Sequence, residues 1–443
     1  KARYSSMPQK LTPVFVFVSV LALCAKAPAN PEIPGSRQSG PIAIVGGTIH
    51  CVSGESIPDG IVLFDKGKVV KVGTDLELPD DVKVIEANGK HIYPGLIDAF
   101  SNIGLVEINA VRATDDRGEV GLFNPNVKAE IAVNPDSEII PVTRSNGVLM
   151  CLTVPYRGLI TGQSAFLQLD GWTTEDIALQ TSVGMHIRWP TMAPVSDWFV
   201  SKSAKEQIAE RDKRLRQLED YFEKARRYDE GRTAGEIAQV DLRLEAMRKV
   251  FSKEVPIIVT ANGIQEIQSA VAFASLQDLK LVIFGGHDAP YCVDLLRKHN
   301  IPVIIGGVYR LPRRSDDAFD SSYTLCETLR KAGVQYCIAS FGRFGGSMAR
   351  NLPYHAATAS AYGLPLSEAV KAVTLYPAQI LGIDDRVGSI APGMDATLVI
   401  TDGHILDTLS NVEAAFIQGR RVSLNDRHKR LFRKYEERIN RLK

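Results

Sequence analysis

Net charge is almost missing from this sequence: 52 Lys and Arg stand against 51 Asp and Glu, which leaves +1 over 443 residues. Such a balance gives no basic face for nucleic acid or an anionic membrane. Cysteine is scarce, with six in the chain and neither a C-x-x-C pair nor zinc-ribbon spacing among them, so a thiolate metal scaffold is excluded. Cys51, Cys151, Cys292, Cys326 and Cys337 read as buried thiols, with one disulfide left open. The longest apolar run falls short of the roughly 20 residues of a membrane span. The glycines from Gly342 to Gly346 lack the Lys-Ser/Thr of a phosphate loop, and Ser164 is followed by Ala165-Phe166, so the G-x-S-x-G of a serine hydrolase is missing too.

What is present is ordinary globular material, 45% hydrophobic and 23% charged, which argues against disorder. Single cores stop growing near ~250–300 residues, so a chain of this length calls for a large domain plus a smaller one. Taking Met7 as a start, Lys10, the apolar run Leu11 to Cys24 and Ala27-Pro28-Ala29 before Asn30 read as a secretory signal over 1–29. The expected product is exported, periplasmic or extracellular, with no stable membrane span after processing. Leu21-Ala22-Leu23-Cys24 leaves a lipid anchor open, and an uncleaved anchor is a further alternative. Residues 30–40 read as a Pro/Gly/Ser linker.

From 41 to 90 come short apolar runs split by turn signals, such as Ile61 to Phe64, Lys66-Gly67-Lys68 and Val69 to Val72, which predict a small antiparallel sheet. The texture returns over 386–425, so both ends are expected to pair into one β-sandwich domain. Between them, over 91–385, strand-length apolar runs alternate with helical segments, which predicts a (β/α)8 TIM-type barrel with its chemistry at the carboxyl ends of the strands. The clearest unit is Leu279 to Phe284, a helix over Ala289 to His299, then Ile301 to Ile305. Further strands are expected at Ile92 to Ala99, Val148 to Val154, Val255 to Ala261 and Val334 to Ala339. A charged helical hairpin is inserted at 201–250; it reads equally as a solvated pair or as an oligomer contact, so a homo-oligomer stays open. The tail 426–443 reads as a charged, basic helix packed as a cap.

Tyr93-Pro94-Gly95-Leu96-Ile97-Asp98-Ala99 resembles the first barrel strand of the amidohydrolase superfamily, nearest its imidazolonepropionase-like branch. Ala391-Pro392-Gly393-Met394-Asp395-Ala396 resembles the return into the satellite sheet, Thr374 to Gly382 the helix before it, and Gly46-Gly47-Thr48-Ile49 the start. The resemblance spans nearly everything after the signal. It implies hydrolysis of C–N bonds other than peptide bonds by one or two divalent metals, usually zinc, held by imidazole and carboxylate at the strand ends.

The positions where that resemblance expects ligands hold other residues. The first strand should end His-x-His, and Phe100 and Asn102 stand there. Thr260 stands at the ligand place of the fifth strand, and Phe284 at that of the sixth. After the eighth strand, where the family has an Asp, the nearest residue is Phe341, or Ser340 one position earlier. A phenyl ring has no lone pair for a metal, and an amide oxygen is a poor zinc ligand. Losses beyond the first shell alone typically cost about 10- to 100-fold in affinity or activity. No cofactor is therefore expected, and these five places are expected to line a ligand pocket.

His287, with Asp288 beside it, is the remaining candidate for acid/base or ligand-binding work at the mouth, although Asp288 reads first as the N-cap of the following helix. His186 reads as a satisfied core histidine. Charges on the loop Glu107 to Asp116 either recognise a polar ligand or are simply solvated. Two functions remain. One is an exported, non-catalytic binding or scaffold protein with a small polar ligand; the other is a hydrolase of cyclic-amide-type bonds, working through metal-free acid/base groups or ligands not identified in the sequence.

Overall fold

The structure, a computed structural model, describes residues 33–196, 198, 200–340 and 345–442. The signal-like segment 1–29 and Phe341 lie outside the described residues. Near the start, β-branched runs form β1 (Ile42–Ile49), β2 (Ile57–Asp65), β3 (Lys68–Gly73), β4 (Lys83–Glu86) and β5 (His91–Pro94). The middle supplies β6 (Leu96–Ser101), β7 (Val148–Thr153), β8 (Ile160–Gln163), β9 (Ala165–Gln168), β10 (Ala178–Gln180), β11 (Met185–Arg188), β12 (Ile257–Ala261), β13 (Leu281–Gly285), β14 (Val303–Ile305) and β15 (Tyr336–Ile338). Near the other end lie β16 (Leu398–Thr401), β17 (Val412–Ile417) and β18 (Arg420–Arg421).

Both ends of the chain share one eight-stranded sheet in the order β18-β17-β16-β5-β1-β2-β3, with β4 on β1. It is mostly antiparallel, but β1 runs parallel to β4 and β5, which the turn pattern did not predict. Two hairpins set its registers. Lys66 and Gly67 (φ +48° and +79°) and Gln418 and Gly419 (φ +47° and +72°) each place two left-handed residues at the turn, the conformation that suits the twist of paired strands. One apolar cluster covers this sheet, and in it Phe64 from one end meets Phe416 from the other edge-on at 5.3 Å.

The middle is α/β. Strands β11 to β15 run parallel in sequence order, as do β6 and β7. Helix Ile264–Leu276 lies between β12 and β13, Val293–Lys298 between β13 and β14, and Ser321–Lys331 between β14 and β15. The alternation is not uniform: β8 is antiparallel to β11, and β9 to both β7 and β10. Hydrogen bonding divides these strands into a four-stranded and a six-stranded sheet. The predicted strand Ile92 to Ala99 is two strands, because at Gly95 the chain passes from one sheet to another. Its N–H donates to Thr397 O at 2.9 Å, and a Cβ there would come within 2.9 Å of Leu149.

The inserted hairpin is helices Ala204–Thr233, opened by a Ser203/Glu206 capping box, and Leu242–Phe251, capped by Asp241. Its inner face is seated: Leu218, Phe222, Leu244 and Met247 are buried, and Phe222 meets Phe273 edge-on at 5.0 Å. The carboxyl-terminal helix Arg427–Asn440 corrects an expectation. Asp426 caps it and Arg430 pairs with Glu138, but none of its residues is buried, so it is not a packed cap. No helix among the described residues is long and apolar enough to cross a membrane.

Because Phe416 joins the two chain ends, Phe416→Ala is expected to lower the unfolding free energy by about 3–5 kcal/mol in urea titrations. A loss below about 1 kcal/mol would show that the two ends hold together without it.

Candidate functional site

Of the five sequence-predicted places, register and packing bring Phe100, Thr260 and Phe284 together. Thr260 on β12 is paired with Phe284 on β13, and on its other side with Arg188 on β11. Phe284 reaches across to Phe100 of β6; both rings are buried, with centroids 3.4 Å apart and planes 5° from parallel. This is closer than the 4.5–7 Å usual for aromatic pairs, so the rings occupy that space fully. His186 of β11 meets Phe100 edge-on at 5.5 Å.

His186 is in the core as expected, but it is not satisfied: neither ring nitrogen has a hydrogen-bond partner. Burial pushes its pKa down to about 3, so the imidazole is neutral. Asn102 is also buried. Its Oδ1 accepts from Gly346 N at 2.5 Å, while Nδ2 has no partner among the described residues. Gly345 (φ +57°) and Gly346 permit this approach, since a Cβ on either would fall within 3.0 Å of the Asn102 amide. At this end the glycine-rich stretch is packed against that side chain.

Sequence reasoning passed over Asp98, whose signal was a lone carboxylate within the apolar stretch Leu96 to Ala99. It is fully buried, and Ser340 donates to it twice, from N to Oδ1 at 3.0 Å and from Oγ to Oδ2 at 2.5 Å. Burial raises the Asp98 pKa to about 6, against the lowering pull of Ser340. Ser340 therefore serves an interior carboxylate. Among the described residues no group of three or more His, Cys, Asp or Glu is placed to hold a metal ion.

His287 and Asp288 lie apart from this cluster, beyond β13, on a cavity of about 200 Å³. Asp288 holds the N-cap position of the short helix that follows it, but its side chain makes no capping bond there. Its carboxylate instead accepts a two-pronged bond from Arg314 (3.0 and 3.1 Å) and a backbone N–H from Ile264, at the start of the preceding helix. Arg310, Arg313 and Arg314, which sequence reasoning also missed, share the cavity. A larger cavity of about 570 Å³ is lined by Pro256, Lys280 and Pro302, which precede β12, β13 and β14. It therefore sits at the opposite ends of the strands from those where such folds place their chemistry.

The loop after β6 is neither merely solvated nor directed at a ligand through Asp115. That carboxylate is buried between Arg117 (2.8 Å) and Arg157 (2.7 Å), and hydrogen bonding to Arg117 holds its pKa down to about 2. Ser164 is buried and its Oγ is bonded to Gly184 O. All five described cysteines are buried and free.

The Amidohydrolase family model matches residues 287–422. The chain is 30% identical over 175 residues to "Putative N-acetylgalactosamine-6-phosphate deacetylase" of Escherichia coli K12, covering 37% of this chain and 95% of that one. It is 23% identical over 380 residues to "Amidohydrolase tasK" of Hapsidospora irregularis, covering 78% of this chain but only 38% of that longer protein. The crystal structure of an amidohydrolase from Thermotoga maritima MSB8 superposes with a TM-score of 0.77 at 28% identity, over 86% of this chain and 99% of that one. The chain belongs to the amidohydrolase family.

The buried titratable groups work in opposite directions. His186 is held neutral in the fold while an unfolded chain titrates near 6.5, so the stability it contributes is full above that pH and is lost as pH falls toward about 3. Asp98, raised from 3.8 to about 6, contributes stability that is present at low pH and lost as pH rises through about 6. His186→Leu is therefore expected to lose about 2 kcal/mol less than wild type between pH 7 and pH 5 in urea unfolding. Equal losses in the two proteins would mean that His186 finds a partner.

Proposed function

We propose that this member of the amidohydrolase family is a non-catalytic binding protein that keeps the fold and takes a small polar ligand at the strand-end mouth. The Phe100–Phe284 ring stack carries this reading, because it fills the place where the resemblance expects imidazole ligands. The neighbouring residues do not suit a divalent cation either. The Asn102 oxygen is engaged by Gly346 N, and Thr260 offers only a hydroxyl. No step through a metal follows from these side chains. We further infer a closed (β/α)8 barrel with a terminal β-sandwich. Support comes from Ala372 and Val373, whose carbonyls accept from β15 (Ile338 N) and β6 (Ile97 N), and from Ser164, which bonds the β8–β9 junction to the 183–184 backbone before β11. Export to the periplasm or beyond belongs to the same reading and rests on the signal-like segment 1–29 alone.

The alternative is a hydrolase of cyclic-amide-type bonds without metal, with His287 as its acid/base group. Asp288 is a weak partner for that task, because its oxygens are already held by Arg314. Elemental analysis of protein purified without chelator separates the readings. The binding reading expects zinc, iron and manganese far below one ion per chain, and no turnover of small cyclic amides. One ion per chain, or a pH-dependent turnover that His287→Ala abolishes, would replace it with the enzymatic reading.

A further inference from the structure

We propose that the cavity beside His287 is an oxyanion site, in which Arg310, Arg313 and the first turn of helix Ser321–Lys331 hold a carboxylate or phosphate group of a small ligand. The site deepens the binding reading and rests on it for the claim that the ligand is held and not converted. Its charge balance is uneven: three guanidinium groups face two carboxylates, Asp288 and Asp317. Arg314 engages both of these, through two bonds to Asp288 and one of 3.1 Å to Asp317, and it also lies over the Tyr291 ring at 5.1 Å. The two acids thus already have a partner. Arg313 reaches Asp288 only at 4.0 Å, beyond hydrogen-bonding distance.

Arg310 is the least compensated of the three. Its Nε donates to Gly307 O at 3.1 Å, but its Nη1 is shut away from solvent with no partner among the described residues. Burial, with Arg313 nearby, pushes its pKa down to about 9, so at neutral pH it remains a cation held at an electrostatic disadvantage. A guanidinium nitrogen shut away from solvent without a counter-ion is disfavoured, which an anion at the cavity wall would offset. Ser321 and Ser322 also line the cavity and open an eleven-residue helix whose N-cap, Asp320, makes no side-chain capping bond. The positive end of that helix and its hydroxyls therefore face the same space as the guanidinium groups. Planar guanidinium forks match the paired oxygens of carboxylate and phosphate. At about 200 Å³ the cavity takes one functional group, with the remainder of the ligand outside it.

The test uses the full chain with two probes, inorganic phosphate and acetate, against chloride at equal ionic strength. Binding is read by calorimetry and by the shift in Tm. The proposal expects at least one probe to bind and raise Tm where chloride does not; phosphate alone assigns a phosphorylated ligand and acetate alone a carboxylate. Arg313→Gln, at a half-exposed position that leaves the fold intact, is expected to weaken binding about tenfold. Arg310→Met should weaken it further, and should raise the stability of the anion-free protein by removing the uncompensated charge. If neither probe does better than chloride, or if Arg313→Gln binds as tightly as wild type, the site does not exist. Metal content measured on the same preparation keeps the two ideas apart. Stoichiometric metal would remove the non-catalytic reading and leave the anion site standing; absent anion binding would do the reverse.

Discussion

Two phenyl rings face to face set the terms for the rest of this molecule. Phe100 and Phe284 come from strands far apart in sequence, β6 and β13, and the parallel register of β12 and β13 sets Thr260 beside Phe284. Once those rings occupy the same few ångströms, the strand-end interior is apolar where the family's chemistry would want lone pairs. The polar groups left around them are managed separately. Asn102 is turned to the backbone of Gly346, Asp98 is tied to Ser340, and His186 is left neutral against the edge of Phe100. Each is a local answer to burying a polar group in low dielectric.

Charge has moved outward. The arginines of this region lie on the loop between β14 and helix Ser321–Lys331, one step from the interior, where Asp288 and Asp317 partly neutralise them. On the binding reading proposed above, cations at the rim would capture a group without splitting a bond, since general acid/base work needs a titrating group within reach of the reacting atoms. The interior groups that titrate, His186 and Asp98, are sealed from solvent.

Much of the architecture was legible because it rests on local signals. The turn at Lys66-Gly67 and the strand-helix-strand unit around β13 and β14 can each be read from residues close together in sequence. What was missed depends on contacts distant in sequence. The run Ile92 to Ala99 looks like one strand until Leu149 and Thr397 divide it at Gly95. Asp288 looks like a cap until Arg314 takes its carboxylate. His186 was placed in the core correctly, but its lack of a partner depends on what other strands fail to supply. The carboxyl-terminal helix was legible as a charged, basic helix, whereas its exposure was not, because nothing in its own sequence says what lies beside it. Of the candidate site, the positions that meet at the rings followed from the family resemblance; the arginine cavity did not, since no spacing rule brings a loop's arginines to a neighbouring strand's histidine.

The most direct test is a crystal grown with excess zinc and measured across the zinc absorption edge. The account predicts no anomalous peak within bonding distance of Phe100, Asn102, Thr260 or Phe284, and the two rings still in contact. A peak there, gripped by any set of side chains with the rings displaced, would contradict it.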